Sequence, residues 1–245
     1  MIQLSEISTR APIHLDRAQA QQQTALWVKR LGELQDVLMA ERKHGVLVVL
    51  QGMDASGKDG AAKNVFAECN PVGVSAYSFK KPTEEEFAHD FLWRIHKQTP
   101  AKGMIQLFIR SHYEDVLIQR VHRWIDEEHV SKRIQAINAF EELLQFDNNT
   151  HIFKFYLHIS KEQQEKELRQ RLEQHDKHWK HNDHDWVERN HWEEYMRCYE
   201  DVMNRCTVPW HIVPVDQRWY RDYVISKILV EHLETLHMQY PTLKK

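Results

Sequence analysis

The stretch VLVVL, Val46–Leu50, is apolar at every position and rich in β-branched residues. A strand sends successive side chains to opposite faces, so this one must be covered on both. That places it in the interior of a parallel sheet held between helices and excludes a sheet with one wet face. The next residues are equally restrictive: Gly52-Met53-Asp54-Ala55-Ser56-Gly57-Lys58, a G-x-x-x-x-G-K pattern, then Asp59, Gly60 and the helix-forming run AAKNVFAE. A strand that turns through glycines into a helix aims several backbone N–H groups at one point, and the lysine adds a positive charge there. Strand, spacing, lysine and helix agree on a phosphate cradle.

In such loops a hydroxyl residue usually follows the lysine and binds Mg²⁺. Here Asp59 takes that place, and Asp54 lies inside the loop. A carboxylate within a phosphate cradle repels the ligand unless a divalent cation lies between them. Mg²⁺ is therefore expected to be integral to the site, with Asp54 as its contact and Asp59 either a further contact or a cap of the helix. A second constellation is FIRSHYEDVL, residues 108–117, at the end of the apolar run MIQLFI. Charges just past a strand sit at the carboxyl edge of a parallel sheet, where ligands bind. Arg110 would stabilise a transferring phosphoryl group, and Glu114 would hold the metal directly or through water. The competing reading is a surface ion pair at a helix start.

Four more apolar runs punctuate the chain: GVSAYSF at 73–79, MIQLFI at 104–109, HIFKFYLHI at 151–159 and WHIVPV at 210–215. Helical spacing fills residues 16–43, 83–96, 131–146, 186–205 and 221–240. The pattern predicts one α/β domain over residues 1–245, built on a five-stranded parallel sheet. Residues 160–205 are too polar in their middle for a core; they read as a lid over the sheet's carboxyl end, with Ser160 as a helix N-cap. His175, His178, His181 and His184 recur every third residue there, followed by His191. With no cysteine or supporting shell beside them, they read as a polar face rather than a metal site.

A net charge of −3 gives no basic field, so no nucleic-acid partner is expected, and a polyanion would need a local cluster of cations. No aliphatic run exceeds the five residues of VLVVL, so no membrane association is expected. The three cysteines lack metal-ligand spacing and the opening residues lack an apolar leader, which points to a cytoplasmic protein.

In order, GMDASGKDG, KKPTEEEFAHDFLWRIH, RSHYEDVL, KHWK with ERNHWEEY, and WYRDYVISKILVE resemble the polyphosphate kinase 2 family over roughly residues 20–240. HYEDVL and LHMQYP are most similar to the single-domain branch that phosphorylates both nucleoside mono- and diphosphates. The resemblance implies a three-layer, thymidylate-kinase-like P-loop fold with a helical lid and a cationic channel for inorganic polyphosphate. It makes Lys-Asp the family's own loop ending and Asp54, Lys58, Arg110 and Glu114 the catalytic group, with Mg²⁺ between carboxylates and phosphates. Lys80 or Lys81, Arg94 and Arg120 would contact polyphosphate, while Lys177, Lys180 and Arg189 belong to the lid. Adenine nucleotides are the implied co-substrates, guanine the alternative base, and a homo-oligomer (dimer or tetramer) the implied assembly. Three positions depart from the family: Ile109 replaces Asn or Asp, and His178 and His181 replace the arginine and phenylalanine of K-R-W-K-F. The first removes a polar group beside the metal; His178 would regain a cation as pH falls. Two rival readings remain: an ATP-using kinase of a small metabolite, and a non-catalytic nucleotide- or polyphosphate-binding module, which Ile109 favours.

Overall fold

The computed structural model describes residues 1–243. Helix α1, Arg17–Glu41, starts at Asp16, whose side chain accepts from the Gln19 amide, and ends where Arg42 turns left-handed at φ 56°. Strand β1, Gly45–Gln51, is buried at every residue, as its sequence requires. Helix α2, Lys58–Val65, comes after the glycine loop. Strand β2, Val74–Ser78, is half-exposed, as an edge strand should be. The helix expected over 83–96 is instead two single turns, α3 (Glu84–Phe87) and α4 (Trp93–His96). Between them Asp90 Oδ1 accepts from the Leu92 amide at 3.0 Å, a local turn that competes with helix continuation.

Strand β3, Ile105–Ile109, leads into α5, Glu114–Val121, and then α6, Glu127–Asn148. Strand β4 covers Thr150–His158, and α7, Lys161–Glu173, begins where Ser160 Oγ accepts from the Gln163 amide at 3.1 Å. A 3₁₀ turn over His175–Lys180 precedes α8, Asp183–Arg189, and α9, Trp192–Arg205. Strand β5, Trp210–Pro214, and α10, Arg218–Glu234, complete the order. The five strands are all parallel in the order β2-β3-β1-β4-β5. Leu50 lies level with Ile109 on one side and Phe155 on the other, so the loops after β1, β3 and β4 emerge together. No helix among the described residues is long and apolar enough to cross a membrane.

Alternation along β4 shows how both sheet faces are covered. The Phe153 ring packs edge-on against His232 of α10, while the next residue, Lys154, reaches Glu141 of α6 at 2.7 Å. Helix α10 also packs on α1, so these two helices cover one face and α6 the other.

At the amino end of the sheet three imidazoles form a chain. His151 Nε2 lies 3.0 Å from His44 Nδ1, and His232 Nε2 lies 3.0 Å from His151 Nδ1. Burial, with His232 and His44 beside it, depresses His151 to about 4 from an ordinary 6.5. As pH falls below about 6.5 the unfolded chain therefore takes up the proton first, and stability declines down to about 4. Because His151 is only half-buried, solvent screening reduces this to about 1–2 kcal/mol. Thermal melts of wild type and His151→Asn, compared from neutral pH to about 4.5, are expected to converge as pH falls. Parallel curves would refute this.

Candidate active site

The loop after β1 is shaped by close approaches. Gly52 has φ 147° and Gly57 φ 90°, and Ala55 is also left-handed at φ 66°. A Cβ at Gly52 would lie 2.8 Å from the Leu157 carbonyl oxygen, and one at Gly57 would lie 2.5 Å from Arg221 Nη1. Only glycine fits at either position. Lys58, the first residue of α2, folds its Nζ back onto the Gly52 and Met53 carbonyls at 2.7 and 3.0 Å. Burial lowers its pKa, and the charges of Asp54, Glu114 and Asp59 oppose that shift. Met53 and Ser56 are buried, and Ser56 Oγ has no partner among the described residues.

Strand β3 ends beside β1, so the chain leaves Ile109 next to the loop. Arg110 then adopts a left-handed conformation at φ 62°, an uncommon one for a residue with a side chain. Its Nη2 donates to Asp54 Oδ1. Glu114, opening α5, accepts from Gln51 Nε2 at 2.6 Å. Burial alone would raise the Asp54 carboxyl, but Arg110, Lys58 and Arg171 outweigh it and hold it below the ordinary range. Glu114 and Asp54 in turn keep Arg110 firmly charged.

Two spaces meet at Asp54 and Arg110. The larger, about 560 Å³, is walled by the loop, the 3₁₀ turn and the start of α10, with Arg171, Lys177, Lys180 and Arg218 among its cations. The smaller, about 100 Å³, is acidic and aromatic, carrying Glu114, Asp185, Glu188, Tyr195 and Tyr199. A polyanion suits the first chamber, and the junction puts a guanidinium and a carboxylate between the two. Asp59 is exposed and does not cap α2; its Oδ2 faces Lys180 Nζ across the cavity at 3.4 Å. Ile109 presents an apolar wall to the cavity.

Other residues singled out in the sequence lie elsewhere. Lys80 and Lys81 are exposed beyond β2 and do not line the cavity. Arg94 is buried against Asp115 at 2.9 Å and the Lys80 carbonyl at 2.9 Å, so it braces the fold instead of facing a channel. Arg120 is held by Glu127 and Asp201, each at 2.7 Å. Arg189 donates to Gln164 Oε1 at 2.8 Å and to Glu165, and Gln164 Nε2 donates to the Asp54 carbonyl at 3.1 Å. Arg189 thus supports the loop from behind. The lid histidines take separate hydrogen-bond partners: His178 Nε2 sits on the Leu172 carbonyl, His181 on Asp183 and His184 on Glu188, while the His175 ring packs against His178.

Sequence reasoning missed Arg171, Arg218 and Arg221. The last two had a signal, since RWYRD lies just past the apolar run WHIVPV much as Arg110 lies just past MIQLFI. Arg171 had none; it reaches Asp185 at 2.6 Å only because α7 and α8 fold together.

Comparison with known proteins gives consistent findings. The polyphosphate kinase 2 (PPK2) family model matches residues 14–241. The AMP/ADP-polyphosphate phosphotransferase of Meiothermus ruber is 47% identical over 216 residues, covering 87% of this chain and 80% of the relative. The ADP-polyphosphate phosphotransferase of Rhodopseudomonas palustris is 38% identical over 229 residues, covering 87% and 79%. The crystal structure of polyphosphate kinase 2 from Arthrobacter aurescens superposes with a TM-score of 0.96 at 38% identity, covering all of this chain and 89% of that one.

Proposed function

This chain belongs to the polyphosphate kinase 2 family, and on that premise we propose that it transfers the terminal phosphoryl group of inorganic polyphosphate reversibly to AMP and ADP. The observation that carries this reading is the cation-lined cavity of about 560 Å³ opening onto an acidic, aromatic chamber at the Asp54–Arg110 pair. Polyphosphate occupies the first space, and the phosphate end of the acceptor nucleotide meets it at the junction with the second. An acceptor phosphate oxygen forms a new bond to the terminal phosphorus, and the bridging P–O bond breaks, its electron pair leaving with the shortened polyphosphate. Lys58 and the loop amides hold phosphate oxygens, and Arg110 stabilises the charge on the group in flight.

The donor set fits Mg²⁺: Asp54 and Glu114 both border the smaller chamber, and Asp54 Oδ2 and Glu114 Oε2 have no hydrogen-bond partner among the described residues. Held by these carboxylates, the cation supplies neutralisation of the phosphate charge. Residues 160–205 act as a lid, with Lys177 and Lys180 over the cavity, and closure excludes water that would waste the donor by hydrolysis. A homo-oligomeric assembly and a cytoplasmic location complete the proposal.

The test is turnover by purified protein with Mg²⁺ and polyphosphate, offering AMP and ADP separately. ADP and ATP are expected from AMP, and ATP from ADP, while Lys58→Ala falls by about 10²–10³-fold. Product only when ATP is the donor would move the protein to another kinase class; ligand binding without turnover at any Mg²⁺ concentration would make it a binding module.

A further inference from the structure

The start of α10 is wedged beneath the phosphate loop. Arg221 is 2% exposed, and its Nη1 donates to the Gly57 carbonyl at 3.0 Å. Its Nε and Nη2 reach Asp222 Oδ1 at 2.8 and 2.7 Å. The other carboxylate oxygen, Asp222 Oδ2, accepts from Asn64 Nδ2 of α2 at 2.8 Å. The guanidinium is thus fastened to its own helix through Asp222, and to the loop through Gly57. Asp222 carries the same clamp on to α2 through Asn64. Packing around it is close: a Cβ at Gly60 would lie 3.1 Å from Nη1, besides the 2.5 Å approach at Gly57.

From this geometry we infer that Arg221 is a positioning residue for phosphoryl transfer, acting through the loop. By fixing the Gly57 carbonyl it fixes the peptide that leads into Lys58, and hence the direction of the N–H groups at the start of α2. The cradle is therefore held in its phosphate-binding shape before the donor arrives, so little reorganisation accompanies binding. The planar fork is essential to this, because one edge engages Asp222 while Nη1 reaches a carbonyl on a different element; an ammonium cannot span both. Gly60 serves the same contact, since its missing side chain lets α2 lie close to the guanidinium. This inference rests on the reading of the cavity as a polyphosphate donor site.

The test is a cycle of wild type, Arg221→Lys, Gly60→Ala and the double variant, with Asn64→Ala as an exposed position that loosens the same clamp. Turnover and tripolyphosphate affinity by calorimetry are both measured below the melting temperature of the weakest protein. Arg221→Lys is expected to lower kcat about a hundredfold and weaken tripolyphosphate binding about tenfold, with the nucleotide KM within about twofold. Gly60→Ala should impair wild type but add little in the Arg221→Lys background, where the contact is gone. Asn64→Ala should give a smaller shift of the same sign. A merely structural role would lower the melting temperature with no split between donor and nucleotide. Wild-type tripolyphosphate affinity in Arg221→Lys, or fully independent effects in the cycle, would overturn the inference. If wild type forms no product, the proposed activity fails, and the tripolyphosphate affinities of the same proteins still decide the role of Arg221.

Discussion

Lys154→Met is expected to destabilise the protein by about 3–5 kcal/mol, because it strands a buried carboxylate. Lys154 and Glu141 have fully buried side chains, joined at 2.7 Å. Lys154 Nζ also donates to Tyr113 OH at 2.6 Å, and Tyr113 OH donates to Glu141 Oε1 at 2.8 Å. Burial by itself would raise the Glu141 carboxyl, but the His112 hydrogen bond and the Lys154 charge outweigh it and keep the group ionised. Without Lys154, Glu141 must bind a proton or open the core to water. The melting temperature should fall by about 10 °C or more. The double variant Lys154→Met with Glu141→Leu should recover part of that loss, since no charge is left stranded, but not all of it, because Tyr113 OH and the buried His112 Nε2 lose Glu141 as their partner. A single variant that melts within about 2 °C of wild type would show that the pair is dispensable. The network matters beyond stability, because His112 and Tyr113 continue the turn that carries Arg110.

The difference between what the sequence shows and what it hides tracks the range of each interaction. The loop Gly52–Lys58 is legible because its parts are contiguous: strand, glycines, lysine and helix all lie within a few residues. The all-parallel sheet is legible from β1, whose unbroken apolar run allows no wet face. HIFKFYLHI reads correctly as a strand, yet nothing in it reveals that its lysine is buried, because the partner Glu141 lies on the preceding helix. The same limit explains the arginines. Arg94, Arg120 and Arg189 read as free cations because Asp115, Asp201 and Gln164 are brought to them only by folding. Arg171 is silent for the converse reason, since only tertiary packing carries it to the cavity. The helix expected over 83–96 failed locally, where the Asp90 side chain offered the backbone a turn.

Arg110→Gly is expected to lower kcat about 10³-fold while leaving the fold within about 1 kcal/mol of wild type. Substitution by alanine would confuse two effects, because Arg110 sits at φ 62°, where a Cβ is disfavoured. Glycine adopts that conformation freely, so relief of backbone strain offsets the entropy it adds to the unfolded chain. What remains is the loss of the guanidinium itself. That group lies between the two chambers, paired with Asp54 and kept charged by Glu114 and Asp54 against the opposing effect of burial. Its effect should fall on kcat, because charge on the transferring phosphoryl group is greatest in the transition state. The nucleotide KM should move by no more than about threefold. Arg110→Lys should fall between the two: it restores the charge but not the planar fork, and it keeps the left-handed penalty. A kcat within about tenfold of wild type in Arg110→Gly would remove Arg110 from the chemistry and leave it as the partner that keeps Asp54 ionised.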